Sequence, residues 1–171
     1  MSDLAAVSLE QTTRAIKAGT SSVRILWQHP ESLAFVARGR EHRSEFHVDP
    51  TDEVMFMIKG DMRLHYRTPD AEEKVALVKE GELIHCPAGT PHSPRFSPDS
   101  FVLVLERQRK PSEDDQFDWF CDRCGSTLYR AVRHVSDYAA DPVSAVYSEF
   151  YADDEHLKCA NCAHENPRPA A

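Results

Sequence analysis

Gly81-Glu82-Leu83-Ile84-His85-Cys86-Pro87-Ala88-Gly89-Thr90-Pro91-His92 is a short apolar run that ends in a Pro/Gly turn and presents a histidine on its far side. Upstream, His47-Val48-Asp49-Pro50-Thr51-Asp52-Glu53 sets a histidine and a carboxylate six residues apart around a turn-like Asp-Pro, and Gly60 supplies the next turn seven residues beyond Glu53. A hairpin here would fold His47 and Glu53 toward one point, where His92 could join them. Two imidazoles and one carboxylate make the face used for non-heme Fe(II), which leaves three coordination positions open for substrate and oxygen. His47, Glu53 and His92 are therefore candidate ligands of a catalytic Fe(II). A single histidine on a strand is ordinarily a packed or surface residue, and His29, His65, His85, His134 and His156 are read that way.

Around these motifs the chain reads as many short strands. Val23 to Trp27, Leu33 to Arg38, Ser44 to Val48, Val54 to Ile58, Met62 to Tyr66, Lys74 to Val78, Glu82 to Cys86 and Phe101 to Leu105 are rich in Val, Ile, Leu and Phe and are punctuated by Gly, Pro and Asp. Such spacing predicts a mainly β sandwich or barrel. Ser8 and Gln11 have capping-box spacing and Gly19 a stop, so residues 8–19 are predicted to form one helix. Gln108 to Gln116 is charged and lacks apolar anchors, as a surface connector would, and a helix is expected after Pro142. The expected organisation is an N-terminal helix or arm over 1–22, a barrel over 23–110 and an extension over 111–171. A chain of 171 residues suits one core with such an appendage.

The net charge of −8 argues against broad attraction to nucleic acid or an anionic membrane. No apolar run approaches the roughly 20 residues of a membrane span. Met1-Ser2-Asp3-Leu4 lacks the basic, apolar start of a signal peptide, so the expected compartment is the cytoplasm.

Cys121-x2-Cys124 and Cys159-x2-Cys162 have the spacing of a tetrahedral thiolate site, since each pair can wrap one edge of a metal. Iron and zinc both suit such a set. A redox disulfide pair and a nucleic-acid-binding zinc ribbon are the competing readings, the second opposed by the acidic balance. Cys86 is left over and reads as a buried small hydrophobe, while Trp119 and Phe120 are expected to pack the cysteine segment onto the barrel.

Glu53-x6-Gly60 and Gly81-x5-Pro87-x-Gly89-x2-His92 resemble the two motifs of the cupin superfamily, whose fold is a double-stranded β-helix or jelly-roll barrel. The pattern departs at the first motif's leading histidine, since Glu45 stands two residues before His47 where many cupins carry a ligand. The string His42-Arg43-Ser44-Glu45-Phe46-His47-Val48-Asp49-Pro50-Thr51-Asp52-Glu53 is similar to the 3-hydroxyanthranilate 3,4-dioxygenases. So are Pro91-His92-Ser93-Pro94-Arg95, Leu105-Glu106-Arg107-Gln108-Arg109 and the two cysteine pairs.

That resemblance covers about Arg24 to Cys162 and implies an Fe(II)-dependent ring-cleaving enzyme. The implied substrates are 3-hydroxyanthranilate and O2, and the implied product is 2-amino-3-carboxymuconate semialdehyde, a quinolinate precursor. It further implies a homodimer, a rubredoxin-like iron or zinc site at Cys121, Cys124, Cys159 and Cys162, and Fe(II) on His47, Glu53 and His92. Arg43 is implied beside oxygen, with Arg95 and Glu106, alongside Glu53, contacting substrate; Arg43 and Glu106 take the catalytic roles. Between His92 and Glu106 the chain is one residue shorter than the bacterial pattern, and Val23 replaces a polar asparagine. A differently substituted aminophenol or catechol is thus an alternative substrate, and a non-catalytic cupin sensor of an aromatic acid is an alternative of another class.

Overall fold

Ser8 opens the first element by accepting a hydrogen bond from the Gln11 amide. Leu9–Ala18 then forms helix α1, which ends where the Gly19 amide donates to the Ala15 and Ile16 carbonyls. The computed structural model describes residues 4–139 and 142–168; Met1, Ser2 and Asp3, part of the signal-peptide reading, lie outside them. Eleven strands follow α1: β1 Val23–His29, β2 Ser32–Arg38, β3 Phe46–Val48, β4 Glu53–Lys59, β5 Met62–Arg67, β6 Glu73–Val78, β7 Leu83–Cys86, β8 His92–Phe96, β9 Phe101–Glu106, β10 Asp115–Phe120 and β11 Thr127–Arg133. Helix α2, Pro142–Phe150, and a 3-10 turn, Asp154–Leu157, complete the chain.

The strands pair antiparallel into two sheets, ordered β1-β2-β9-β4-β7 and β11-β10-β3-β8-β5-β6. This is the jelly-roll barrel of the cupin type that the motifs imply. Alternate residues of β4 (Met55, Met57), β5 (Met62, Leu64) and β9 (Val102, Val104) meet Val78 and Cys86 in the main core. Ile16 of α1 packs against Val36 and Phe101 on an outer face of the first sheet. A further core joins Phe117, Trp119 and Ala131 to Val146 and Phe150 of α2 and to Leu157.

Gly60, at the predicted turn, has φ +72°, and a Cβ there would lie 2.3 Å from the Ser100 hydroxyl.

Three strands are absent from the expectation drawn on sequence. β8 carries Pro94 at its centre, which hides a strand because proline cannot donate to the ladder. β10 and β11 fall after residue 110, and β10 bonds to β3, so the second sheet runs on past that boundary into the C-terminal segment.

Candidate active site

Cross-strand register brings the three predicted ligands together. His47 of β3 stands opposite His92 of β8, and Glu53 at the start of β4 stands opposite Cys86 of β7. The two turns that follow His47 and precede His92 are also tied together: the Gly89 amide donates to the Asp49 carbonyl at 2.8 Å, and the Ala88 amide to the Asp52 carboxylate at 2.8 Å. Asp49 shapes its own turn by accepting from the Thr51 amide and hydroxyl. As a result, donor atoms of His47, Glu53 and His92 all lie within 4.8 Å of one another.

His92 Nε2 approaches Glu53 Oε2 to 2.8 Å, yet that buried oxygen makes no aligned hydrogen bond. Two ligand-type atoms thus lie close enough to share one ion. The other His92 nitrogen, Nδ1, lies 2.9 Å from the Thr90 carbonyl, as expected of a ring whose Nε2 is kept for a metal. His47 is braced by Asp115, with Nε2 2.7 Å from Oδ1, and its ring stacks on Phe117 at 4.9 Å.

Arg109, whose side chain is only 3% exposed, is the electrostatic hub of the site. Its guanidinium donates to Asp49 at 2.6 Å and to Asp115 at 2.7 Å, and it pairs with Glu106 at 3.0 Å. Two other acidic clusters, His47-Asp49-Asp115 and Asp49-Glu53-Glu106, each contain carboxylates that Arg109 already holds. The His47-Glu53-His92 cluster contains none, so a divalent cation fits there by charge as well as by donor type.

The pKa shifts report the same crowding. Burial would raise Glu53, but the charges of His92 and His47 outweigh it and bring its carboxyl to about 2. Burial would lower His92, yet the Glu53 carboxylate holds it well above the ordinary imidazole value. Burial followed by the Glu53 charge pushes Glu106 up to about 9, against the pull of Arg109. Asp115 goes the other way: its bonds to His47 and Arg109 overcome burial and lower it.

The cluster lines a cavity of about 200 Å³ whose apolar walls include Phe35, Met55, Phe96, Val102 and Val104. Arg43 and Glu106 reach this cavity, as the family pattern implies. Arg95 is not among the residues that line it. Along β8 the residues alternate, so His92, Pro94 and Phe96 line the cavity while Arg95 lies along the grooves on the opposite face of the sheet. The Phe96 ring sits against Gly39, where a Cβ would come within 2.4 Å of Phe96 Cγ. Besides Arg43 and Arg109, the lining arginines are Arg38, which is exposed, and Arg40, which is half-buried.

Sequence reasoning missed Arg109 and Asp115 as parts of the site. Arg109 was visible in Leu105-Glu106-Arg107-Gln108-Arg109, but nothing local tells which arginine of that run turns inward.

The four cysteines converge as predicted. Cys121 Sγ lies 3.6 Å from Cys162 Sγ, and Cys124 Sγ lies 3.5 Å from Cys159 Sγ. A disulfide needs about 2.05 Å, whereas metal–sulfur bonds of about 2.3 Å in a tetrahedron give edges near 3.8 Å. Each pair forms the same turn: Gly125 donates to the Cys121 carbonyl with φ +71°, and Ala163 donates to the Cys159 carbonyl with φ +56°. The Ser126 hydroxyl and amide hold the Cys124 thiol down at about 5, whereas, against the His164 amide, burial and the neighbouring thiols push Cys162 up to about 12.

The sequence matches the family model described as 3-hydroxyanthranilic acid dioxygenase over residues 12–151. It is 36% identical over 144 residues to a 3-hydroxyanthranilate 3,4-dioxygenase of Bacillus thuringiensis, covering 84% of this chain and 80% of the relative. A protein of the same name from Paraburkholderia phytofirmans is 34% identical over 146 residues, covering 85% and 83%. A crystal structure of a Neisseria meningitidis protein superposes with TM-score 0.50 at 19% identity, over 61% of this chain and all of that one. A crystal structure from Bacillus halodurans does so with TM-score 0.50 at 18% identity, over 62% and 83%. These two likenesses bear on the fold alone.

Proposed function

Because the chain belongs to the 3-hydroxyanthranilic acid dioxygenase family, we propose that it opens the ring of 3-hydroxyanthranilate with O2 at an Fe(II) held by His47, Glu53 and His92. The product is 2-amino-3-carboxymuconate semialdehyde. The observation that carries this reading is the convergence of those three donors, with one buried carboxylate oxygen unpartnered, in the cavity of a chain of this family. Fe(II), when bound, supplies a redox-active centre at which an aminophenol and dioxygen can be brought together.

The protein's own groups do the rest. Phe35, Met55, Phe96, Val102 and Val104 grip the aromatic ring and keep water out, so each polar contact acts in a medium of low dielectric. Arg43, in the cavity wall, stabilises negative charge that develops on dioxygen. Glu106 is the carboxyl placed to accept a hydrogen bond from the substrate amine. With Arg95 facing away, the substrate carboxylate is met by Arg38 and Arg40, since a guanidinium matches a carboxylate in two parallel bonds.

Phe96 in the wall favours a second reading, the same chemistry on an aminophenol without a carboxylate at that position. The four-cysteine site holds a second iron or a zinc and fastens the C-terminal extension over 111–171 to the barrel over 23–110. No helix of the described residues is long and apolar enough to cross a membrane. A cytoplasmic homodimer accompanies the family reading, and sedimentation would test the assembly.

Protein loaded anaerobically with Fe(II) is expected to consume O2 when given 3-hydroxyanthranilate, one molecule for each product heavier by two oxygen atoms, and His47→Ala to abolish it. Binding without uptake would overturn the substrate assignment, and 2-aminophenol tested in parallel would identify the second reading.

A further inference from the structure

Glu45 stands where many cupins place a ligand, yet it lies outside the three-donor cluster and is wholly buried. Its carboxylate is shared between two partners. Arg43 donates from Nε to Oε1 at 2.5 Å and also pairs through Nη2, while the Tyr147 hydroxyl donates to Oε2 at 2.5 Å. The same hydroxyl accepts from the Ser44 amide at 2.6 Å. Ser44 is fastened further, its hydroxyl accepting from Trp119 Nε1 at 2.9 Å and lying 3.0 Å from the Tyr151 hydroxyl. Tyr147, Tyr151 and Trp119 all belong to the C-terminal part of the chain, on α2 or just after it and on β10. They close around the loop that delivers Arg43 to the cavity.

We propose that Tyr147 is a positioning residue that fixes the Arg43 guanidinium by locking Glu45 in place, making the C-terminal extension a working part of the active site. The proposal rests on the reading that Arg43 serves the oxygen side of the cavity. Without the Tyr147 hydroxyl, Glu45 Oε2 and the Ser44 amide are both left buried without that partner, and the carboxylate must turn to find another. Arg43, held only through that carboxylate among the described residues, turns with it. The hydroxyl is well suited to a permanent donor: burial and then the Glu45 charge push its pKa up to about 12. The aromatic ring is not what matters, because its edge contact with Trp119 at 5.7 Å survives in phenylalanine.

The test compares Tyr147→Phe with Tyr129→Phe, which removes a phenol bonded to Glu149 of the same helix rather than to Glu45 or Ser44. In Fe(II)-loaded protein, Tyr147→Phe is expected to lower kcat for 3-hydroxyanthranilate about ten- to a hundred-fold, as a misplaced catalytic group does, with KM within two-fold. In an Arg43→Ala background it should have no further effect. A readout free of turnover is hydrogen exchange at Arg43 Nε, followed by NMR on protein prepared with zinc so that the metal sites are diamagnetic. Exchange should accelerate at least ten-fold in Tyr147→Phe and stay unchanged in Tyr129→Phe.

An unchanged kcat and unchanged exchange overturn the proposal. So does a kcat loss that persists in the Arg43→Ala background, or one that Tyr129→Phe reproduces. If the wild-type protein turns over no 3-hydroxyanthranilate, the functional reading fails while the exchange experiment still decides whether Tyr147 holds Arg43.

Discussion

Asp115→Asn tests whether the proposed ligand His47 depends on the charge network behind it. The wild-type carboxylate is fully buried and takes contacts from His47 Nε2 at 2.7 Å, Arg109 Nε at 2.9 Å and Arg109 Nη2 at 2.7 Å. Asparagine keeps the shape but turns one acceptor oxygen into a donor, which then faces either a guanidinium N–H or the imidazole. Hydrogen bonds to charged groups contribute about 1.5–3 kcal/mol each, and breaking a buried ion pair costs about 3–5 kcal/mol when the partner is stranded. Arg109 is not stranded, because Asp49 and Glu106 still hold it. The expected destabilisation is therefore about 2–3 kcal/mol, or roughly 4–12 °C in Tm for a chain of this size.

Loss of an outer partner of a ligating histidine also weakens metal binding about 10- to 100-fold. Thermal unfolding of the metal-free protein and anaerobic Fe(II) titration against a chelator measure the two effects. A Tm shift below about 2 °C together with Fe(II) affinity within two-fold of wild type would refute the reasoning.

Other outcomes follow from particular contacts. Since Glu53 holds His92 above its ordinary pKa, the metal-free imidazole is protonated near neutral pH, while ligation requires it neutral. Metal binding should then release about one proton and tighten about tenfold per unit rise in pH up to that pKa; anaerobic calorimetry in buffers of different ionisation enthalpy showing no proton release would contradict this. Arg95→Ala should leave KM within two-fold, whereas Arg38→Ala should raise it several-fold, and the reverse order in steady-state kinetics would restore Arg95 as the carboxylate clamp. Gly39→Ala should cost about 1–3 kcal/mol in urea unfolding because its Cβ collides with the Phe96 ring. The same change made in a Phe96→Ala protein should cost markedly less, and an equal cost in both would show that the clash is not the cause.

The three proposed metal ligands and the four cysteines were legible because each set is carried by short motifs whose spacing is itself the geometry. Where Arg95 falls relative to the cavity was not legible, for a reason that lies in strand phase. With Pro94 at its centre, β8 did not read as a strand, and without a strand there was no alternation to show that His92, Pro94 and Phe96 share a face from which Arg95 is excluded. Starting from His92 and counting by twos would have found Phe96. No such device could find Tyr147 or Asp115, because their partners Glu45 and His47 lie far away in sequence and meet them only through tertiary packing.

β3 has three residues and pairs with β8 at one position, His47 opposite His92, but with β10 at three. Most of the ladder that seats His47 therefore comes from a strand about 70 residues further along the chain, a non-local pairing of the kind that forms late in folding. During synthesis, the motif that names the metal site leaves the ribosome well before the strand that steadies it. A nascent chain that ends before Asp115 already carries all three donors and the β3–β8 pair, but it lacks both the three-position ladder to β10 and the Asp115 contact that steady His47.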